Sequence, residues 1–534
     1  MKTNVLESKG FSSLKAFWKQ DLRAGFNVSL IALPLSLGIA IASGFPAIAG
    51  LFAAIIGGIF VSRFNGSFVS ITGPAAGLIV VNLASIDRLG LGNNALGYQY
   101  TLAAIVMAGI FISLFGLLKA GKLGDFFPTA AVHGMLAAIG VIIMVKQLFV
   151  GIAMSAHGHE FYEVMSELPG ALIHANPEVA IITLVSLLIL IVYPKIKVRW
   201  IKSLPGPIWV ILVAIPLEFL MDFEHVHAYH FLGADHKVGP QLLVHLPDRI
   251  LDGVVLPNFG KIISSAFWIS VASIALVTAL ESLLSAIAVD SFDPENRKSN
   301  LNKDLVGVGA GSSLSGFIGG LPVISEIVRS SANASSGAKT QWSNFFHATI
   351  LLLFLLVGGP IISHIPLAAL AAMLIFTGFR LASPKEFKHM FKLGKTEFTV
   401  FVSTLIMVLL TDLLIGVAFG VVLNLVLNFI RSKSVKDAII LKEIHTTGIS
   451  GTMTIRIRGV LVFSNYLKFK KLVQKNKDVN ICVDFADCRF IDHTVMHHLH
   501  GLQKDFKNKG QSFLLANLDD LKTKSNDPLA ERFA

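Results

Sequence analysis

The sequence predicts an α-helical polytopic membrane protein with 14 membrane segments in a 7+7 inverted repeat, followed by a small α/β domain. Three observations predict it. Of 534 residues, 53% are hydrophobic and 15% charged, with a mean hydropathy of +0.68, whereas soluble domains carry about 25% charge. Apolar runs fill 24–431, while the chain from Ser432 onward is charged and alternates like soluble structure. Finally, two apolar segments are interrupted, and they hold corresponding places in the two halves. The expected domains are a polar segment over 1–23, a membrane domain over 24–431 and a tail domain over 432–534.

This composition excludes a soluble enzyme, a disordered chain and a nucleic-acid-binding protein. The formal charge of +11 is explained by basic loops on one side of a membrane. The two cysteines, Cys482 and Cys488, both fall in the tail and support neither a disulfide scaffold nor a cysteine metal site. Met1 to Arg23 is polar and basic and lacks the apolar core of a cleavable signal, so the first apolar segment is expected to stay as a span.

A span needs roughly 20 apolar residues. On that scale full helices are expected near 24–43, 46–62, 97–118, 127–148, 178–194, 204–221 and 263–289. Others follow near 303–318, 342–362, 366–381, 396–413 and 414–431. The segment from Val69 to Ala84 opens with alternating Ser67-Phe68-Val69-Ser70-Ile71-Thr72 and then Gly73-Pro74. Similarly, Gly319-Gly320-Leu321-Pro322 precedes a short polar helix over Val323 to Asn333. Each reads as extended chain entering the N-terminus of a half-helix, with proline near the first turn, where its missing N–H costs nothing.

Counted with the full helices, the interrupted segments are third and tenth, each the third of seven. Because seven is odd, the second set enters the membrane from the opposite side, and the two positive helix ends converge near the midplane. An anion site is the physical consequence. Two kinked structural helices are the alternative. Topology agrees with the count: with both termini cytoplasmic, the inner loops contain Lys119 and Lys122; Lys195, Lys197, Arg199 and Lys202; Arg297, Lys298 and Lys303; and Arg380, Lys385, Lys388, Lys392 and Lys395. The loop from Gly151 to Glu178 has no Lys or Arg, and Met221 to Lys261 has only Lys237, Arg249 and Lys261.

Ionisable residues inside a membrane segment cost about 2.5–3.5 kcal/mol at a helix centre, so each is a functional candidate. Glu281 lies among Leu280, Leu283 and Leu284, with Thr278 at i−3 and Ser285 at i+4 on its face. A carboxylate flanked by hydroxyls suits a proton or Na⁺, and a packing role is the alternative. Arg329 and Glu326 lie three apart on the tenth segment. Arg329 offers positive charge near the helix ends, while Glu326 is either its structural partner or a second cation site. The glycines Gly307, Gly309, Gly311, Gly316, Gly319 and Gly320 superficially resemble a phosphate loop, but in a membrane segment small residues allow close helix packing. His225, His227, His230 and His236 form a loop cluster that suits solvated histidines better than a metal site.

The tail is expected to form strands at Gly451 to Phe463 and Val479 to Phe485, a helix over His493 to Phe506, a strand at Ser512 to Ala516 and a final helix. Asp492 is placed to cap the His493 helix. No nucleophile and base pair is present in it, so it reads as a binding or assembly module.

Together these residues resemble the SulP anion transporter family, related to the animal family that includes prestin and pendrin. The resemblance rests on Ala32-Leu33-Pro34, Gly44-Phe45-Pro46 and Gly50-Leu51-Phe52 in the first two helices, and Ile71-Thr72-Gly73-Pro74-Ala75-Ala76 in the third. It continues in Ala279-Leu280-Glu281-Ser282-Leu283-Leu284-Ser285, in Gly320-Leu321-Pro322 with Arg329-Ser330, and in Gly337-Ala338-Lys339-Thr340. The tail is similar to a STAS domain, Asp492-His493-Thr494 matching its loop, with Thr494 aligned to the serine phosphorylated in related anti-sigma antagonists; a structural role is the simpler reading of Thr494 here.

The resemblance implies a core of helices 1–4 and 8–11 moving as an elevator against a gate of helices 5–7 and 12–14, in a STAS-linked homodimer. The substrate would lie against Thr72, Gly73, Ala75, Ala76, Ser325, Glu326, Ile327, Val328 and Arg329, with Leu35 and Ile39 nearby. Cation coupling would fall to Glu281 and Ser285. The sequence departs from the animal pattern at Leu35, where a glutamine is frequent, and at Glu326, where a small or hydroxyl residue is usual.

The expected function is secondary active transport of a small inorganic oxyanion, bicarbonate or sulfate first, coupled to H⁺ or Na⁺, by an integral protein of the inner (plasma) membrane and not by an enzyme. No cofactor is expected beyond the coupling ion. The expected partners are the anion, membrane lipid, a second copy and a regulatory protein at the STAS domain, with no nucleic acid. A nucleobase–cation symporter of the same architecture and an uncoupled anion exchanger or channel are the alternatives.

Overall fold

A computed structural model describes residues 10–121, 127–156, 161–231, 234–290, 292–295, 297–432, 442–449, 452–476, 479–508, 510–523, 525 and 527–534. The chain packs as two compact units: residues 1–121 with 139–380, and residues 122–138 with 381–534. The second unit thus joins the last apolar helices to the tail, across the change in composition at Ser432.

Helices occupy the expected positions of the full-length segments. They are α1 (Phe11–Ala42), α2 (Ala47–Ile56, prolonged by a π turn Gly57–Val61) and, after the first break, α3 (Ile79–Gly90). Next come α4 (Asn94–Leu117), α5 (Thr129–Val150), α6 (Phe161–Ile173), α7 (Pro177–Val192), α8 (Gly206–Leu220), α9 (Ser265–Asp290) and α10 (Leu301–Phe317). The remainder are α11 (Ile327–Ser335), α12 (Trp342–Val357), α13 (Leu367–Leu381), α14 (Pro384–Leu393), α15 (Lys395–Leu410) and α16 (Leu413–Ser432). Among the described residues, eight helical stretches are long and apolar enough to cross a membrane, and α8 and α12 are shorter apolar helices. Short amphipathic α6 and α14 stand outside the expected set, as does a hairpin of β2 (His227–Phe231) and β3 (Ala234–Val238) in the long loop. That hairpin contains His227, His230 and His236; His230 pairs with Asp235 at 2.8 Å and His225 with Asp222 at 2.7 Å. Among the described residues no group of three or more such side chains could hold a metal ion.

The glycine run over 307–320 serves helix contact. A Cβ on Gly309 would lie 2.5 Å from the Gly109 carbonyl oxygen, and one on Gly109 would lie 2.5 Å from that of Gly309. Helices α4 and α10 therefore touch backbone to backbone, which only the smallest residues permit. An apolar cluster in the first unit includes Leu37, Leu51, Ile182, Val210 and Met373.

In the second unit the tail forms a six-stranded sheet, with strands β5 (Lys442–Ile449), β6 (Thr452–Leu461), β7 (Asn480–Asp484), β8 (Cys488–Ile491), β9 (Phe513–Ala516) and β10 (Arg532–Phe533). Their order is β10-β8-β6-β7-β9, with β5 beside β6. β6 runs parallel to β7 and β8, and β7 to β9, while β5 and β10 are antiparallel edges. Buried Ile455 and Ile457 alternate with exposed Arg456 and Arg458, the period-2 signature of a half-buried strand. Helices α17 (Phe463–Lys475) and α18 (His493–Asn508) cover the sheet. The expected strand through Phe463 ends at Leu461, because Phe463, Tyr466, Phe469 and Val473 are the buried face of a helix. Among the described residues the expected final helix is not formed: the segment after β9 contains Asp527-Pro528, which interrupts a helix ladder, and returns as β10 against β8.

Asp492 caps α18 by accepting from Val495 N at 2.8 Å, and it also accepts from Phe463 N at 2.7 Å and Asn428 Nδ2 at 3.1 Å. Burial raises its carboxyl to about 7. A folded value above the unfolded one means that the native state holds the proton longer, so this group's contribution falls as pH rises from about 4 to 7. Asp492→Asn should flatten that part of the stability profile and leave the fold intact. Asp492→Ala should cost about 1–2 kcal/mol through lost capping. Thermal unfolding against pH checks both.

Candidate functional site

Both chain breaks become three-residue strands. Ile71–Gly73 (β1) pairs antiparallel with Ile324–Glu326 (β4), in the register Ile71 with Glu326, Thr72 with Ser325 and Gly73 with Ile324. Pairing satisfies backbone groups that a helix no longer serves, which is obligatory at membrane depth. From the pair the chain leaves in opposite directions, through a 3₁₀ turn Ala76–Leu78 into α3 and directly into α11. Each half-helix therefore turns its N-terminus, with a partial positive charge, toward the crossing.

The polar side chains around the crossing mostly hold it together. Ile71 N donates to Ser330 Oγ at 2.8 Å, and Asn344 Nδ2 donates to Thr72 Oγ1 at 2.9 Å. Ser325 N donates to Ser282 Oγ of α9 at 3.3 Å, and Ser325 Oγ lies 3.3 Å from both oxygens of Asp304. Asn333 Nδ2 donates to Val69 O at 2.8 Å. Sequence reasoning missed Asn344, Asn333 and Asp304 in these roles. Polar residues inside apolar helices were the available signal. It also missed His347, fully buried on α12 one turn beyond Asn344, with neither ring nitrogen hydrogen-bonded among the described residues.

Arg329 has no exposed surface, and its Nε lies 2.7 Å from Glu326 Oε2. Its Nη2 reaches Pro74 O at 3.4 Å, and its Nη1 would lie 2.9 Å from a Cβ on Gly73. The guanidinium thus bridges both half-helices, and Glu326 balances its charge. Of the two readings the sequence leaves open for Glu326, the structure shows the ion pair with Arg329.

Glu281 meets the third segment at Gly77: a Cβ there would lie 1.8 Å from Glu281 Oε1 and 2.3 Å from its Cδ. Among the described residues its Oε2 has no hydrogen-bond partner, nor does the hydroxyl of buried Thr278 one turn earlier. This is an all-oxygen set, the donor class that suits a hard cation or a proton. Ser285 is buried one turn beyond on the same helix.

Of the expected substrate residues, Thr72, Gly73, Ser325 and Arg329 meet at the strand pair and are buried with Ala75. Ala76 and Glu326 are partly accessible, while Ile327 and Val328 are exposed at 39% and 41% and form the open rim. Ile39 is buried on α1, and Leu35 packs against the apolar cluster of the first unit.

Comparison with known proteins places this architecture. Residues 18–404 match the model of the sulfate permease family. YvdB of Bacillus subtilis (strain 168), named for sulfate transport, is 31% identical over 76% of this chain and 72% of its own. The bicarbonate transporter BicA of Picosynechococcus sp. is 25% identical over 73% of this chain and 67% of its own. Two solved structures share the fold. The transmembrane domain of a cyanobacterial BicA superposes with a TM-score of 0.62 at 24% identity, covering 76% of this chain and 97% of that one. SLC26A9 superposes with a TM-score of 0.64 at 15% identity, covering 94% of this chain and 84% of that one. The molecule is an integral membrane protein of a family of anion transporters, not enzymes, and its chain belongs to the sulfate permease family.

Proposed function

We propose that this protein is a secondary active transporter of a small inorganic oxyanion, bicarbonate or sulfate, driven by H⁺ or Na⁺ through Glu281. The single observation that carries the reading is the β1–β4 pair with two half-helix N-termini directed at it. Because Arg329 and Glu326 neutralise one another, the attraction for an anion comes chiefly from the helix ends. Backbone N–H donors in a low-dielectric cavity suit an oxyanion. The names of YvdB and BicA support sulfate and bicarbonate as the first substrates to try.

In this reading the fourteen segments form a 7+7 repeat whose core (α1 to α4, α9 to α12) moves as an elevator against a gate of α5, α7, α8, α13, α15 and α16. The tail is a STAS domain that links two copies and docks a regulatory protein. Both termini face the cytoplasm across the plasma membrane.

Uptake of radiolabelled bicarbonate, sulfate, succinate and uracil into proteoliposomes, with and without an inward H⁺ or Na⁺ gradient, tests the assignment. One oxyanion should accumulate and should do so faster with a gradient. Uracil uptake would make the protein a nucleobase symporter, and gradient-independent flux an exchanger or channel.

Glu281→Gln should abolish gradient-driven accumulation while leaving anion exchange. Gly77→Ala should do the same by displacing the carboxylate, since no methyl fits 1.8 Å from its oxygen. A variant of either kind that still concentrates the anion would refute the coupling role of Glu281.

Arg329→Ala strands Glu326 in the interior, a change that costs about 3–5 kcal/mol. The double variant Arg329→Ala with Glu326→Gln should regain most of the thermal stability. It should keep anion affinity within about tenfold of the parent if the helix ends supply the attraction, each being equivalent to about half a charge. Equal loss of affinity in the single and double variants would show that the guanidinium itself holds the anion.

A further inference from the structure

A groove of about 310 Å³ runs between α7 and α8, lined by Leu188 and Val192 of α7, Tyr193 and Trp200 of the connection, and Trp209 and Val213 of α8. Its wall presents no polar surface. The polar atoms of two aromatic residues are turned inward instead: Tyr193 OH donates to Leu204 O at 3.0 Å and Trp209 Nε1 to Ile201 O at 2.9 Å. Trp200 and Trp209, both lining the groove, meet edge to face at 5.7 Å.

Two further observations say what covers it. The span Pro177–Lys195 has 28% of its apolar window buried, the smallest share among the eight candidate spans, so this surface is available to the bilayer. The connection at the groove's mouth carries Lys195, Lys197, Arg199 and Lys202, all exposed. Among the described residues none of the four is paired with a carboxylate, and the sequence has no Asp or Glu between Glu178 and Glu218. An apolar slot in a lipid-facing wall, aromatic at its rim and ending in four uncompensated cations, is complementary to a molecule with an apolar chain and an anionic head.

We propose that this groove binds an anionic phospholipid, one acyl chain lying against Leu188, Val192 and Val213 and the phosphate held by the Lys195–Lys202 cluster. The aromatic rings sit at the depth where chain gives way to headgroup, the position that tryptophan and tyrosine favour. The inference is independent of the transported substrate. It assigns a lipid class to a helix pair outside the β1–β4 crossing.

The two tryptophans of the groove report on it directly. The full chain is reconstituted in phosphatidylcholine vesicles containing an equal fraction of either brominated phosphatidylglycerol or brominated phosphatidylcholine, and tryptophan emission is read. Brominated phosphatidylglycerol should quench more strongly, and Trp200→Phe with Trp209→Phe should remove the difference. Replacing Lys195, Lys197, Arg199 and Lys202 by Gln should lower the preference for the anionic lipid by about fivefold per charge at low salt, and 1 M salt should act likewise on the parent chain. Val192→Phe with Val213→Phe keeps the cations and fills the slot, and it should also remove the difference. Equal quenching by the two lipids, or a preference that survives both loss of the cations and filling of the slot, would overturn the proposal. So would protection from both lipids with cross-links between copies at this surface, which would make the occupant a second chain.

Discussion

The structure of the membrane part turns on the antiparallel pairing of two three-residue strands that lie about 250 residues apart in sequence, Ile71–Gly73 and Ile324–Glu326. Backbone that leaves the helical state inside a membrane has no water to turn to, and each unserved group costs several kcal/mol. The two breaks answer one another, which fixes the position of both half-helices at once. Around them a shell of buried polar side chains completes the satisfaction: Asn344 on Thr72, Ser330 on Ile71, Ser282 and Asp304 on Ser325, and Asn333 on Val69. The hydroxyls of Thr72 and Ser325, expected at the substrate site, also take part in this scaffold. Among the described residues of the expected site, Ile327 and Val328 are exposed and Ala76 and Glu326 partly accessible.

The same crossing arranges the charges. Arg329 is fully buried, and its partner Glu326 lies on the same helix with its carboxylate against the guanidinium. A buried pair of this kind is weak as a source of stability, because desolvation offsets attraction, yet removing one member leaves an uncompensated charge. Its better-supported role is geometric: the guanidinium reaches Pro74 across the strand pair and ties α11 to the entry of α3. Glu281 approaches the same entry from α9 and is admitted there only because residue 77 has no side chain. Anion-attracting helix ends and a carboxylate with a free oxygen are thereby brought to one half-helix, which is the arrangement that a proposed coupling of anion to cation requires.

Much of this was legible in the sequence, and the residues show why. Apolar length and the Gly-Pro interruptions are local signals, so helix positions and the two breaks follow from counting. The partnership of the breaks is non-local, and only their matching rank in two sets of seven pointed to it. Single polar residues in apolar helices, such as Asp304, Asn344 and His347, carry no periodic signal and passed unnoticed, although intramembrane cost applies to them as it does to Glu281. In the tail the failures have a different cause. Phe463, Tyr466, Phe469 and Val473 follow the period of a helix, but they begin where a strand ends and were absorbed into it. The segment after β9 ends in a two-residue strand, whose existence depends on the free edge of β8 and not on its own sequence.

The loop that most suggests regulation is also the one the structure uses for packing. Asp492 accepts hydrogen bonds from Phe463, Val495 and Asn428, and the last of these lies on an apolar helix of the same compact unit. Thr494, for which the sequence resemblance raises phosphorylation as an expectation, is 1% exposed, with its hydroxyl 3.4 Å from that of Thr129. Its neighbour His493 is held by the Leu529 carbonyl at 2.7 Å. A phosphate on Thr494 would introduce up to two negative charges and three oxygens beside a carboxylate that burial already opposes. The modification is therefore incompatible with this packed form, and a kinase would first have to separate the loop from Thr129 and Asn428. In this chain the motif acts as an anchor between sheet and helix.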